Sequence, residues 1–274
     1  MKILIAADME GVTGVVHWDH ANPEHAEYSR FRRLMTGDVN AAIRGVFEGG
    51  AEEVIVTDGH GGGRNLLIEE LDPRARLNSG GPSPFSMVEG VDSGVNAAMF
   101  VGYHARTGAP QAILSHTWSG KRVAGVWLNG QEVGEIGLNA AVCGHFQVPV
   151  IMISGDQTAC AEASELLDEV ETAVVKRAAS RMAAECLSPE AAQEAIYTAA
   201  TRAVHRLGAG EVPPPFRIQS PITLAIEFRY PEMADHAGLL PGARRTGDSR
   251  VEFSADDVPT AYRAFQALVA LAGR

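Results

Sequence analysis

Lys2-Ile3-Leu4-Ile5-Ala6-Ala7-Asp8-Met9-Glu10-Gly11 is the stretch from which the rest of the chain can be read. Ile3 to Ala7 is a short apolar run, as expected of a buried strand in a parallel sheet. It ends on a carboxylate, and a second carboxylate follows two residues later. Side chains alternate along a strand, so Asp8 and Glu10 face the same way if the extended geometry persists. Open α/β sheets gather their ligands at the carboxyl ends of strands. Two like charges there repel unless something positive stands between them. A divalent cation would satisfy them. The plain structural alternative is a solvated acidic turn, with Gly11 supplying the bend.

The following segments extend the pattern. Val12 to His25 is a polar loop holding His17, His20 and His25 around Trp18. Their spacing fits neither a helix face nor a zinc finger, so a surface or subunit-contacting loop is expected. Tyr28 to Phe47 has helical periodicity, with Asp38 placed to cap a second segment within it and Gly49-Gly50 to stop it. Glu53 to Thr57 is then a second buried strand, completing a βαβ unit, and ends on Asp58-Gly59-His60. Leu66 to Leu71 reads as a short helix and Ala75 to Asn78 as a strand. Gly80 to Pro84 is a loop suited to flank a cleft. Ala97 to Val101 is another buried strand and runs into Gly102-Tyr103-His104. Three strands of one pattern thus finish on Asp/Glu, Asp/His and His.

Ser115-His116-Thr117-Trp118 opens an extended stretch. Asn129-Gly130 joins Val123–Leu128 to Gln131–Val133 as a hairpin with a type I′ turn. Glu135 begins a helix to Phe146, Val148 to Ser154 is a strand, and Gln157 to Leu167 is a helix. Beyond residue 170 the texture changes. Thr172 to Lys176 reads as a strand. Ser188-Pro189-Glu190 is a helix start with a capping hydroxyl, Pro at the first position and an acid at the positive end. Ile222–Phe228 and Arg250–Phe253 are strands, and Asp256 to Leu271 is a closing helix. The expected fold is α/β: a three-layer α/β/α domain with a mostly parallel sheet over residues 1–170. A smaller α+β domain follows over residues 171–274, expected to supply substrate or oligomer contacts.

Composition narrows the function. The chain has 274 residues, 46% hydrophobic and 21% charged, which is ordinary for a globular protein with a full core. The net charge of −11 and the absence of Lys/Arg runs argue against nucleic acid and anionic membrane as partners. Cys143, Cys160 and Cys186 lack metal-type spacing and suit a reducing compartment. No segment approaches a membrane span, and the N-terminal apolar run is too short for a signal-peptide core. A cytoplasmic protein is expected.

The metal-capable residues at strand or hairpin ends are Asp8, Glu10, His60, His104, His116 and Glu135. Each has a structural alternative: His60 as a cap on a glycine turn, His104 as a hydrogen-bonded core histidine, His116 as a surface residue, Glu135 as a helix N-terminal acid. Together they outweigh those alternatives, because βαβ topology puts the strand ends on one edge of the sheet. Mixed carboxylate and imidazole donors suit zinc ahead of manganese or cobalt. Five ligands exceed one open tetrahedral site and suit two metals sharing a carboxylate, with Asp8 the natural bridge. Asp58, two residues before His60, is placed to orient it. Gly61-Gly62-Gly63 lacks the Lys-Ser/Thr of a phosphate loop, and there is no Gly-x-Ser-x-Gly elbow.

With these residues assembled, the chain resembles the DppA-type D-aminopeptidases, a zinc peptidase family. The resemblance rests on Asp8-Met-Glu10-Gly11, Asp58-x-His60, Pro84-Phe-Ser-Met-Val-Glu-Gly90, Gly102-Tyr-His104-Ala-Arg106, Ser115-His116 and Val133-Gly-Glu135-x-Gly-Leu-Asn139. It continues through Val148-Pro-Val150, Gly155-Asp156, Cys186-Leu-Ser-Pro189 and Ile226-Glu-Phe228, in order along the chain. It implies two zinc ions bridged by Asp8, one held with Glu10 and His60, the other with His104 and Glu135. It implies a catalytic role for His116 and a ring-shaped homo-decamer with sites facing an inner channel. It also implies release of an N-terminal D-residue, D-Ala especially, from short peptides. The rival readings are a metal-dependent hydrolase of another amide or ester bond, and a non-catalytic peptide-binding component of dipeptide uptake.

Overall fold

Strand β1 (Lys2–Ala7) is an interior strand of a seven-stranded sheet in the computed structural model, which describes residues 1–273. Its parallel neighbours are β2 (Glu53–Asp58) on one side and β4 (Ala97–Tyr103) on the other. Outward from β2 comes β3 (Ala75–Asn78). Outward from β4 come β7 (Val150–Asp156), β8 (Glu171–Ser180) and an antiparallel edge strand β9 (Ala183–Cys186). The chain therefore winds one way from β1 to β3 and the other way from β4, which makes the gap between the ends of β1 and β4 the switch point of the sheet.

The alternation of β1 feeds two cores. Ile3, Ile5 and Ala7 pack with helix α2 (Tyr28–Glu48) and helix α5 (Pro189–Ala209) on one face. Leu4 and Ala6 belong to the other face, with α3 (Glu135–His145) and α4 (Gln157–Leu167). In α2, Phe31, Met35, Val39, Ile43 and Val46 are buried at helical spacing, each contributing about 1.5–3 kcal/mol. These are the three layers expected from the sequence.

A second, antiparallel sheet carries β11 (Ala243–Arg245), β12 (Arg250–Ala255), β10 (Ile222–Phe228), β5 (Val123–Leu128) and β6 (Gln131–Glu132) in that order. Helices α6 (Pro231–Ala237) and α7 (Val258–Leu271) pack on it, and α7 meets α3. The β5–β6 turn has positive φ at Asn129 (48°) and Gly130 (84°), as a type I′ turn requires. The two sheets do not divide at residue 170. Residues 171–186 complete the first sheet, and the hairpin at residues 123–132 is an edge of the second.

Other details differ from expectation. Helix α2 runs unbroken, and Asp38 caps nothing; its carboxylate is buried and accepts from the backbone N–H and hydroxyl of Thr13. Residues 115–118 form an irregular loop, with Leu114 and Trp118 at positive φ (48° and 63°). His17, His20 and His25 frame the short helix α1 (Trp18–Ala21); His20 stacks on Phe31 at 3.8 Å and ties that loop to α2. No described helix is long and apolar enough to cross a membrane.

Candidate metal centre

The loop leaving β1 crosses directly beneath the end of β4. Gly11 N donates to Gly102 O at 2.8 Å, and a Cβ at Gly11 would sit 1.9 Å from Tyr103 O. Gly102 itself has φ +74° against Asp8 O. Only glycine admits this approach, and it brings the carboxylates after β1 beside His104 after β4. A second device fixes the same loop. Lys176 on β8 is buried and donates to the carbonyls of Glu10, Val12 and Val15 at 2.6, 2.8 and 2.6 Å. The only trace of this in the sequence is a lysine closing a run of buried strand residues.

Asp8, Glu10, His60, His116 and Glu135 line one cleft of about 560 Å³, with His104 buried behind them and stacked on His116 at 4.1 Å. Asp8 presents Oδ1 to His60 Nδ1 and Oδ2 to His104 Nε2, at 3.3 Å each. Glu10 Oε2 stands 3.1 Å from His60 Nδ1, and Glu135 Oε1 stands 3.1 Å from His104 Nε2. His116 Nε2 lies between the two groups, 3.9 Å from Glu10 and 3.8 Å from Glu135. Glu135 opens α3 and also accepts from Trp118 N at 2.7 Å, which seats the loop carrying His116.

The far nitrogen of each imidazole is committed. His60 Nε2 lies 2.9 Å from Ala21 O, His104 Nδ1 3.1 Å from Ala105 O, and His116 Nδ1 2.9 Å from Leu114 O. A carbonyl only accepts, so those far nitrogens carry protons, and the inward nitrogens are the ones that offer lone pairs to a metal once it displaces their own protons. Asp8 Oδ2, Glu10 Oε2 and His104 Nε2 are buried without a hydrogen-bond partner despite standing about ion-pair distance apart. Donors around one tetrahedral zinc at about 2.0–2.2 Å stand roughly 3.3–3.6 Å from one another, and the observed separations of 3.1–3.3 Å come close to that. The donor set and its orphaned atoms therefore fit zinc.

Charge reinforces the fit. Burial works to raise the Asp8 pKa, but His104 and His60 outweigh it and hold the carboxyl well below its usual range. Burial works to lower His60 and His104, but the carboxylates beside them, Glu10 and Glu135 foremost, hold both well above the ordinary histidine range. The pocket demands positive charge at those nitrogens. His116 goes the other way: burial, then the neighbouring His104, lowers its pKa.

Asp58 does not orient His60. It accepts from Asn65 N, Asn65 Nδ2 and Leu66 N at 2.5–2.7 Å, shaping the glycine loop instead. A recess of about 270 Å³ lined by Gly61–Gly63 and Gly80–Pro82 adjoins the main cleft at Gly59, Ser86 and Trp118. Trp18 closes edge-on over His116 at 5.3 Å. Cys143 and Cys160 are buried, and burial pushes both thiols up to about 12; they are packing residues.

Fold and site together define an α/β protein whose switch-point cleft offers ligands for divalent metal. The chain belongs to the D-aminopeptidase family, Peptidase M55, which matches residues 1–267. It is 39% identical over 278 residues to a D-aminopeptidase of Bacillus subtilis (strain 168), covering 100% of this chain and 98% of the relative. It superposes with a TM-score of 0.94 and 38% identity on a solved Bacillus subtilis structure, over 100% of this chain and 98% of that one. That structure is described as the Zn-dependent D-aminopeptidase DppA, a self-compartmentalizing protease.

Proposed function

We propose that this protein is a dinuclear zinc aminopeptidase releasing an N-terminal D-residue, of the D-Ala kind, from short peptides. The observation that carries the reading is Asp8, whose two oxygens face two different imidazoles, each already protonated on its far side. Asp8, Glu10 and His60 would hold one ion; Asp8, His104 and Glu135 the other. Bound zinc supplies Lewis acidity at the scissile carbonyl and a nucleophile drawn from water at neutral pH.

His116 handles the proton. Its Nδ1–H is committed to Leu114 O and its depressed pKa keeps Nε2 an acceptor. Nε2 can therefore take the proton lost by the attacking water and return it to the leaving amine. This fits the neutral ring better than donation to an oxyanion. Trp18 and Trp118 wall the cleft and limit solvent around that transfer. In a cytoplasmic setting the protein would assemble with copies of itself, extending to this chain the self-compartmentalization of its structural relative. Exposed Met182, Leu187, Tyr230 and Leu239 supply apolar surface for such contacts, and a ring-shaped homo-decamer is the form we propose.

Metal analysis of chelator-free protein tests the centre. The reading expects about two zinc ions per chain, dropping sharply in Asp8→Ala, together with hydrolysis of D-Ala dipeptides ahead of their L-counterparts. One ion or none, unchanged by the substitution, would remove the bridged site.

A further inference from the structure

The cleft lined by three carboxylates is also lined by cations. Lys121, Arg122 and Arg181 share its wall with Asp8, Glu10 and Glu135. A second cleft of about 720 Å³ meets the first at Gly120, Lys121 and Arg181 and adds Arg229; no carboxylate lines it. This is a local basic surface on a chain of net charge −11.

Two arginines of this surface, Arg181 and Arg229, are fixed through backbone. Arg181 Nη2 donates to Ser115 O at 2.8 Å, with its guanidinium 5.5 Å from the Trp18 ring. Arg229 Nε donates to Gly120 O at 2.7 Å. Among the described residues, no ion pair ties Lys121, Arg181 or Arg229 to a carboxylate, whereas Arg106, across the same loop region, holds Glu132 at 3.2 Å. Held in place with N–H groups unspent, such a group is suited to an incoming carboxylate.

We infer that Lys121 and Arg181 form a subsite for the free C-terminal carboxylate of a short peptide, so that the enzyme selects its substrates by length and by that charge. The inference rests on the aminopeptidase reading. With the peptide's amino end at the carboxylate–imidazole cluster, an extended chain reaches at most about 3.5 Å per residue. Arg181 stands 5.5 Å from the Trp18 ring, itself 5.3 Å from His116, so its guanidinium at the rim of the same cleft lies within the reach of a dipeptide or tripeptide anchored at the cluster. A longer chain carries that charge past the rim. Because these cations lie away from the scissile bond, they act on ground state and transition state alike, and their effect falls on KM.

The test compares a D-Ala dipeptide as free acid and as C-terminal amide on the zinc-loaded protein. In the wild type the free acid should have a kcat/KM at least about tenfold higher, through KM, and high salt should shrink the ratio. Lys121→Ala and Arg181→Gln should each bring the ratio toward one, with partial recovery in Arg181→Lys. A merely structural effect of these substitutions would lower both rates and leave the ratio in place, and that outcome overturns the subsite. Equal hydrolysis of acid and amide by the wild type overturns the subsite while the aminopeptidase reading stands. Hydrolysis of neither overturns both.

Discussion

His116 sits where the proposed chemistry needs a group that is neutral before the reaction and charged during it. Its imidazole is stacked on His104, and both burial and that neighbour oppose protonation. Replacing it with Ala removes the proton carrier while leaving Asp8, Glu10, His60, His104 and Glu135 in place. His116→Ala should keep its zinc and lose about 10²–10⁴ in kcat; near-normal turnover with intact metal would end its catalytic assignment. Asp38 offers a second residue-scale test, away from the centre. Burial pushes its carboxyl up to about 6 against Thr13's hydrogen bonds. The folded pKa lies above the unfolded one, so the folded state binds more protons between roughly pH 4 and 6. Wild-type stability should therefore rise relative to Asp38→Asn as pH falls through that window, by about 2–3 kcal/mol. Urea denaturation of both proteins at matched pH measures the difference, and the subtraction cancels what other groups contribute.

At the scale of elements, the centre depends on how the loop after β1 is held. Lys176 reaches from β8 to three carbonyls of that loop, one of them Glu10's own. Lys176→Met would leave those buried acceptors without donors, costing about 3 kcal/mol or more, and would free Glu10 to drift. Denaturant unfolding and zinc content should both show the loss; full zinc occupancy in the variant would mean that β1 and β4 alone fix the loop. The sequence made β1, β2, β4 and their terminal carboxylates and imidazoles readable, because buried parallel strands are apolar runs that stop abruptly. It did not make Lys176's partners readable, since they lie on a different element far along the chain. β9, α6 and β11 leave little signal in the sequence because they are short and largely exposed, without apolar periodicity. Asp38 resembles a cap in the sequence because a buried acid bonded to a distant threonine has no local signature. The second sheet was only half seen: the hairpin announces itself through Asn129-Gly130, but nothing local says that it pairs with β10.

For the molecule as a whole, the carboxylate cluster is a source of strain without cations and of stability with them. Ligands that bind only the folded state stabilise it by mass action, about 4 kcal/mol at a thousandfold excess over Kd. Exhaustive chelation should therefore lower the melting temperature by on the order of 10 °C for a domain of this size, and zinc should restore it. Identical melting with and without chelator would mean that histidine protons already satisfy the carboxylates. The switch-point placement of the cluster has one more consequence, for the order in which the protein matures. The proposed ligands run from residue 8 to residue 135 and reach the centre from four separate places: the ends of β1, β2 and β4, and the start of α3. They can converge only after β2, β1 and β4 lie side by side. On a growing polypeptide, the first three groups of ligands leave the ribosome well before Glu135 does. The nascent chain would hold an incomplete, weakly binding centre until α3 docks and β8 brings Lys176 to the loop carrying Glu10, so metal uptake falls late in folding and acts as a clasp on the assembled sheet.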